Sequence, residues 1–345
     1  VIKYIGSKRG VMEPLTAAVS ALLPDGGTVA DLFSGSARVS HALKQRGLAV
    51  WSNDVNAYAA TLATALVQAD LEVWGDRASR LIAELAALPP RPGWFTETFC
   101  EQARFFHPDN GAVIDAVREH IAALHLEPEL EAIALTSLIQ AADKVDSTAG
   151  VQMAFMKSWA PRALNPIRLR VPELLPRSAS GPCRATRADV LDIAHEVEAD
   201  LVYLDPPYNH HSYLGNYHIW ESLVLWDRPE TYGLANKRVD CRTRKSPFNF
   251  KHGIAPALRD VITRLPCRRL IVSFNDEGFV DLPTLMQMLE SRGPVQVIEV
   301  ERPRYVGARI GIHDRRGVKV GAVGRLRNVE RLFVVGEPLS SRRAA

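Results

Sequence analysis

The sequence predicts an α/β fold, an open and mainly parallel sheet interrupted by a long, mostly helical insertion. Three observations predict it. Near the N-terminus an apolar strand ends in an acidic residue, then runs through a small-residue turn into a helix and a second strand. From about Asp70 to Lys157 strand signals vanish, and Ala, Leu and Glu dominate. From Asp200 onward short apolar runs return. Strands alternating with helical stretches indicate β-α-β units and hence a parallel sheet.

Residues 27–33, Gly-Thr-Val-Ala-Asp-Leu-Phe, form a short buried strand, and Ser34-Gly35-Ser36-Ala37 a tight turn. Arg38 to Gln45 is helical and closed by Gly47, where a glycine ends a helix cheaply. Leu48 to Ser52 is the second strand, and a helix follows from about Ala57. Within the insertion, Pro89-Pro90-Arg91-Pro92-Gly93 breaks the helices, and the Pro- and Arg-containing residues 160–187 lead back to the sheet. Asp200 to Leu204 and Cys267 to Phe274 are strands. Val295 to Val300 and Arg331 to Val335 suit an antiparallel pair joined by a basic segment. The chain accordingly divides into a catalytic domain, 1–69 with 176–345, and a helical domain, 70–175.

Composition narrows the function classes. Hydrophobic residues make up 47% and charged residues 23% of the 345, as in ordinary soluble globular proteins. No apolar run reaches the ~18 residues of a membrane span, and the N-terminus lacks a secretory pattern. Val1 stands where an initiator Met is expected, which points to a missing residue or a longer leader. Cys100, Cys183, Cys241 and Cys267 are widely spaced, so neither a zinc site nor a disulfide framework is expected, and reduced intracellular thiols are.

A net charge of +3 does not by itself imply nucleic acid, but its distribution is uneven. Arg228 to Lys251 carries seven Lys or Arg against two acids, and Arg302 to Arg331 carries nine against two. Both segments suit either a phosphate backbone or a solvated loop.

Two motifs carry chemistry. A glycine-containing turn after a strand lets backbone approach a ligand at a helix N-terminus. Asp54, at the end of the second strand, lies where α/β nucleotide folds hold ribose hydroxyls. The second motif is Asp205-Pro206-Pro207-Tyr208 at the end of a strand. Two prolines stiffen the loop, and Pro206 offers only its carbonyl. That carbonyl and the Asp205 carboxylate are acceptors for the two hydrogens of an exocyclic amine. Tyr208 supplies a face on which a flat base can stack. His210, His211 and His218 lack the H-E-x-x-H spacing of a zinc helix, and no metal is expected.

With Lys3-Tyr4-Ile5-Gly6-Ser7-Lys8 and Asp31-Leu32-Phe33-Ser34-Gly35-Ser36, the Asp205 loop resembles the Dam-type adenine-specific DNA methyltransferases, in the order of their alpha group. Asn216-Tyr217-His218-Ile219-Trp220-Glu221, together with Asn110, Asp115 and Arg118, is similar to the FokI-type modification enzymes of that family. The resemblance runs from Lys3 to about Val335.

It implies a Rossmann-like class I sheet dependent on S-adenosylmethionine, a target-recognition role for the insertion, and methylation of the adenine 6-amino group in flipped-out duplex DNA. It assigns cofactor contacts to Tyr4, Lys8, Asp31, Phe33, Gly35, Asp54, Asp189 and Val190, with Lys8 on the methionine carboxylate. Asp205, Pro206, Pro207 and Tyr208 become the catalytic loop. Lys237, Arg238, Arg242, Arg244, Lys245 and Lys251 become phosphate contacts, and Ala37 replaces the family's usual second Gly. A prokaryotic cytoplasmic, nucleoid-associated location and a cognate restriction endonuclease as partner are further implied. Two rivals stay open, namely methylation of the cytosine 4-amino group and a non-catalytic DNA-binding protein that retains the fold.

Overall fold

A computed structural model describes residues 2–303 and 327–336. Its centre is a seven-stranded sheet. Seven strands build it: β1 (Thr28–Asp31), β2 (Ala49–Asp54), β3 (Arg184–Arg187), β4 (Leu201–Leu204), β7 (Leu270–Asn275), β8 (Val295–Pro303) and β9 (Arg327–Val335). Two short strands, β5 (Thr231–Tyr232) and β6 (Lys237–Arg238), form a separate antiparallel hairpin. The sheet order is β3-β2-β1-β4-β7-β9-β8. The first five strands in that order run parallel, and β9 pairs antiparallel with both β7 and β8. The expected parallel sheet and terminal antiparallel pair are therefore present. Most of the basic connection between the last two strands, residues 304–326, lies outside the described residues.

The central strands read as continuous apolar runs because both sheet faces are covered. All four residues of β4 and all six of β7 are buried. On one face Val29, Val50, Leu201 and Ile271 join a cluster that continues into the insertion through Phe95, Phe99, Leu135 and Leu138. On the other, Ala30, Val202, Leu204 and Val272 pack against the helix Ile254–Arg264 and its neighbours. The insertion thus shares its hydrophobic core with the sheet.

Several polar residues of the insertion are structural. Asp115, buried in the helix Pro108–Leu124, accepts hydrogen bonds from the backbone N–H groups of Gly93, Phe95 and Thr96 and from the Thr96 hydroxyl. Asn110 ties that helix to residues 163–167. Arg118 donates to the carbonyls of Leu223 and Val224, at the end of the helix His218–Leu225. His218 is fully buried with Nε2 2.9 Å from the Gln152 carbonyl, and burial pushes its pKa down to about 3. Among the described residues no group of three or more His, Cys, Asp or Glu is arranged to hold a metal ion. No described helix is long and apolar enough to cross a membrane.

In a doubly wound sheet, ligands bind beyond the carboxyl ends of the strands where the order reverses. Here that point lies between β1 and β4, and the two motifs emerge side by side from those strands.

Candidate active site

A cavity of about 310 Å³ opens at this reversal point. It brings together Tyr4, Lys8, Asp31, Phe33, Gly35, Asp54, Asp189, Val190, Asp205 and Pro207, which are spread over most of the sequence. Pro206 and Tyr208 lie beside it, Pro206 buried and Tyr208 with its ring 5.7 Å from that of Phe274. Arg244 and Lys245 also reach the wall. Lys237, Arg242 and Lys251 do not line it.

The turn after β1 is built by backbone. The Ser34 N–H donates to the Asn53 carbonyl and the Gly35 N–H to Asp54 Oδ2, which locks the turn onto the end of β2. Asp54 also accepts from the backbone and side-chain nitrogens of Asn56. Gly35 (φ 50°) and Ala37 (φ 57°) both adopt left-handed conformations. Ala37 carries the cost of that conformation, about 1–2 kcal/mol, without losing the turn. At Gly35 a Cβ would sit 2.9 Å from the Tyr4 ring. That ring cannot easily move, because it stacks on Tyr217 (4.7 Å, 10°) and Tyr213 (5.2 Å, 17°) and shares a hydroxyl hydrogen bond with Tyr58. We therefore expect Gly35→Ala to weaken binding of S-adenosylmethionine at least about tenfold, as ~1.4 kcal/mol of crowding would. Calorimetric titration checks this, and an unchanged Kd would show that the turn does not border the ligand.

The cavity is lined by four carboxylates, Asp31, Asp54, Asp189 and Asp205, and by four cationic side chains, Lys8, Arg38, Arg244 and Lys245. Asp31, at the end of β1, is fully buried and accepts from the Ser40 hydroxyl at 2.7 Å through Oδ2. Burial, reinforced by Asp205 and Asp54, pushes its pKa up to about 7. Asp54 is likewise raised by burial. Asp31 Oδ1 and the Ser34 hydroxyl are buried with no hydrogen-bond partner among the described residues. A ligand carrying positive charge and N–H donors would satisfy these groups.

The Asp31 carboxyl, about 7 when folded and near 4 when unfolded, binds its proton more tightly in the fold. Its contribution to stability is therefore greatest at low pH and is lost as pH rises from about 4 to about 7. Asp31→Asn should flatten the fall in Tm over that interval, which scanning fluorimetry of the ligand-free protein measures.

Lys8, to which the resemblance gives a methionine carboxylate, lines the cavity with its ammonium buried between Asp205 (2.8 Å) and Glu330 (2.7 Å). Burial opposes its charge, but the two carboxylates outweigh that and hold its pKa well above the ordinary lysine value. Arg38, whose buried Nε has no hydrogen-bond partner among the described residues, lines the same cavity.

Arg238 is corrected. It is buried and held bidentately by Asp227 at 2.7 Å, with Asp240 beyond, so it has no reach to a phosphate. Arg244 is half-buried on Glu221 and Asp240. Arg242 (stacked on Tyr232), Lys245 and Lys251 are exposed.

Sequence reasoning missed Glu330 and the anchoring role of Glu221. Glu221 is fully buried and accepts from the Tyr58 N–H and from Arg244. A signal existed for Glu330, because it shares a strand face with Leu332 and Val334 and so places an acid at a core position.

The family profile described as D12 class N6 adenine-specific DNA methyltransferase matches residues 4–254. The chain is 28% identical over 316 residues to Type II methyltransferase M.NlaIII of Neisseria lactamica, covering 88% of this chain and 92% of that protein. It is 25% identical over 320 residues to Modification methylase StsI of Streptococcus sanguinis and 26% identical over 322 to Type II methyltransferase M.FokI of Planomicrobium okeanokoites. Each alignment covers 88% of this chain but only 48% and 49% of those proteins, so the chain spans about half their length.

Proposed function

We propose that this chain, which belongs to the D12 class of N6 adenine-specific DNA methyltransferases, transfers a methyl group from S-adenosylmethionine to the 6-amino group of an adenine at a specific duplex sequence. The observation that carries the reading is the convergence of the β1 turn, Asp54 and the Asp205 loop on one cavity. When bound, S-adenosylmethionine supplies an electrophilic methyl group on a sulfonium.

The protein's part is to bind, orient and stabilise charge. The buried Asp31 Oδ1 and Ser34 hydroxyl suit the donor's ammonium end, Arg38 its carboxylate, and Asp54 its ribose. Asp189, which caps the short helix starting at Val190, and Val190 itself flank its adenine. At the reacting end Asp205 and the Pro206 carbonyl accept the amine hydrogens, which turns the nitrogen lone pair toward the methyl group. Bound S-adenosylmethionine would supply the methyl group, and Asp205 would stabilise the positive charge that transfer would place on the amine until the amine's proton passed to solvent. The target base leaves the duplex to reach the cavity, and stacking on Tyr208 offsets part of the cost, about 1–3 kcal/mol.

Arg242, Lys245 and Lys251 remain the phosphate contacts of the 228–251 segment, and the helical insertion helps to recognise the target. By the likeness to type II methylases, the chain is the modification member of a restriction–modification system. Single-molecule sequencing of DNA from a methylation-free host expressing the protein tests the reading. Modified adenines confined to one short sequence are expected; no modification, or modification without sequence preference, would overturn it.

A further inference from the structure

We infer that Glu330, which lies beyond the segment matched by the family profile, is a positioning residue that acts on Asp205 through Lys8. The inference rests on the reading of Asp205 as the group that faces the reacting amine. Lys8 Nζ stands 2.8 Å from Asp205 Oδ1 and 2.7 Å from Glu330 Oε1, and both Lys8 and Glu330 are at least 96% buried, with relative exposures of 4% and 3%. Glu330 Oε1 accepts a further hydrogen bond from Ser273 in β7 at 2.7 Å, and Asn275 Nδ2 approaches Oε2 at 3.5 Å. The acid is therefore fixed by a neighbouring strand.

A buried carboxylate is costly unless it serves a paired charge. One lysine already balances one aspartate, so the second acid makes the group carry a net charge of −1. That balance matters for a transfer in which positive charge is delivered to an amine beside Asp205. With Asp205 and Lys8 alone, the ammonium would cancel the carboxylate's field at the amine. Glu330 takes up the ammonium's charge from the far side, holds Lys8 in place and leaves Asp205 effectively anionic.

Other groups face this triad. Tyr203, Tyr208 and Tyr213 have pKa values raised by burial and remain neutral, while Asp31 and Glu277 add negative charge.

Glu330→Gln keeps the oxygen that Ser273 and Lys8 bond while removing the charge. At saturating S-adenosylmethionine, kcat should fall about 10- to 100-fold, with Kd for S-adenosylmethionine and KM for DNA within about threefold of wild type. The acidic limb of the pH–kcat profile should move to lower pH, because the undiluted charge of Lys8 then favours ionised Asp205. A purely structural role would not move that limb. Ser273→Ala, which loosens Glu330 without removing its charge, should lower kcat less and leave the limb in place, and it remains informative should Glu330→Gln fold poorly. Asp205→Ala serves as the reference. If Asp205→Ala is inactive while Glu330→Gln keeps wild-type kcat and pH profile, the role of Glu330 is overturned and the reading of Asp205 stands. If Asp205→Ala stays active, both fall.

Discussion

Asp205→Ala is expected to lower kcat by at least about 1,000-fold while the protein stays folded and binds S-adenosylmethionine with near wild-type affinity. The size follows from losing both an acceptor for the amine and the charge that faces the developing cation, a class of effect worth about 10²–10³ per group. The fold should tolerate the change, because Asp205 is 19% exposed at a strand end and Lys8 keeps Glu330 as a counter-ion. Asp205→Asn, which retains a carbonyl but not the charge, should fall in between. Transfer of a labelled methyl group measures kcat, and calorimetry measures cofactor affinity. An effect on KM alone would mean that Asp205 binds the base without assisting transfer.

The largest stability effect is expected at Lys8. Lys8→Met removes the ammonium that bridges Asp205 and Glu330 and leaves their carboxylates on either side of the vacated position. Breaking such a buried pair typically costs about 3–5 kcal/mol, because the uncompensated charge remains in the interior. The double variant Lys8→Met/Glu330→Gln should recover much of the loss, since one of the two facing acids is then neutral. Urea unfolding gives these numbers. A loss under about 1 kcal/mol for Lys8→Met would show that the pair is solvated and that its charges are not coupled through the interior.

The parts of this site legible in the sequence were those written locally. Val29-Ala30-Asp31, the small-residue turn after it and the helix Arg38–Gln45 lie within one continuous stretch, and the helix has the bounds its sequence suggests. Asp205-Pro206-Pro207-Tyr208 announces its chemistry through residue type alone. Lys8 and Glu330 are 322 residues apart, so no local pattern joins them, and their contact depends on β9 inserting beside β7.

Charge counting failed for a related reason. The basic run begins at Arg228, so Asp227, one residue before it, escaped the count, as did Glu221 on the helix His218–Leu225. Those two acids engage Arg238 and Arg244. Asn110, Asp115 and Arg118 are polar and lie in a helix-rich insertion, which suits recognition as well as structure. Only the hydrogen bonds to backbone at Gly93, Ala163 and Leu223 reveal the latter.

The identity of the amine that receives the methyl group defines the reaction. The most direct measurement is mass spectrometry of nucleosides from duplex DNA incubated with the purified protein and isotope-labelled S-adenosylmethionine, with Asp205→Ala in parallel. Labelled N6-methyladenine is expected from the wild-type protein and none from the variant. Label in 4-methylcytosine would instead identify a cytosine 4-amino methyltransferase, and equal N6-methyladenine from both proteins would exclude Asp205 from the reaction.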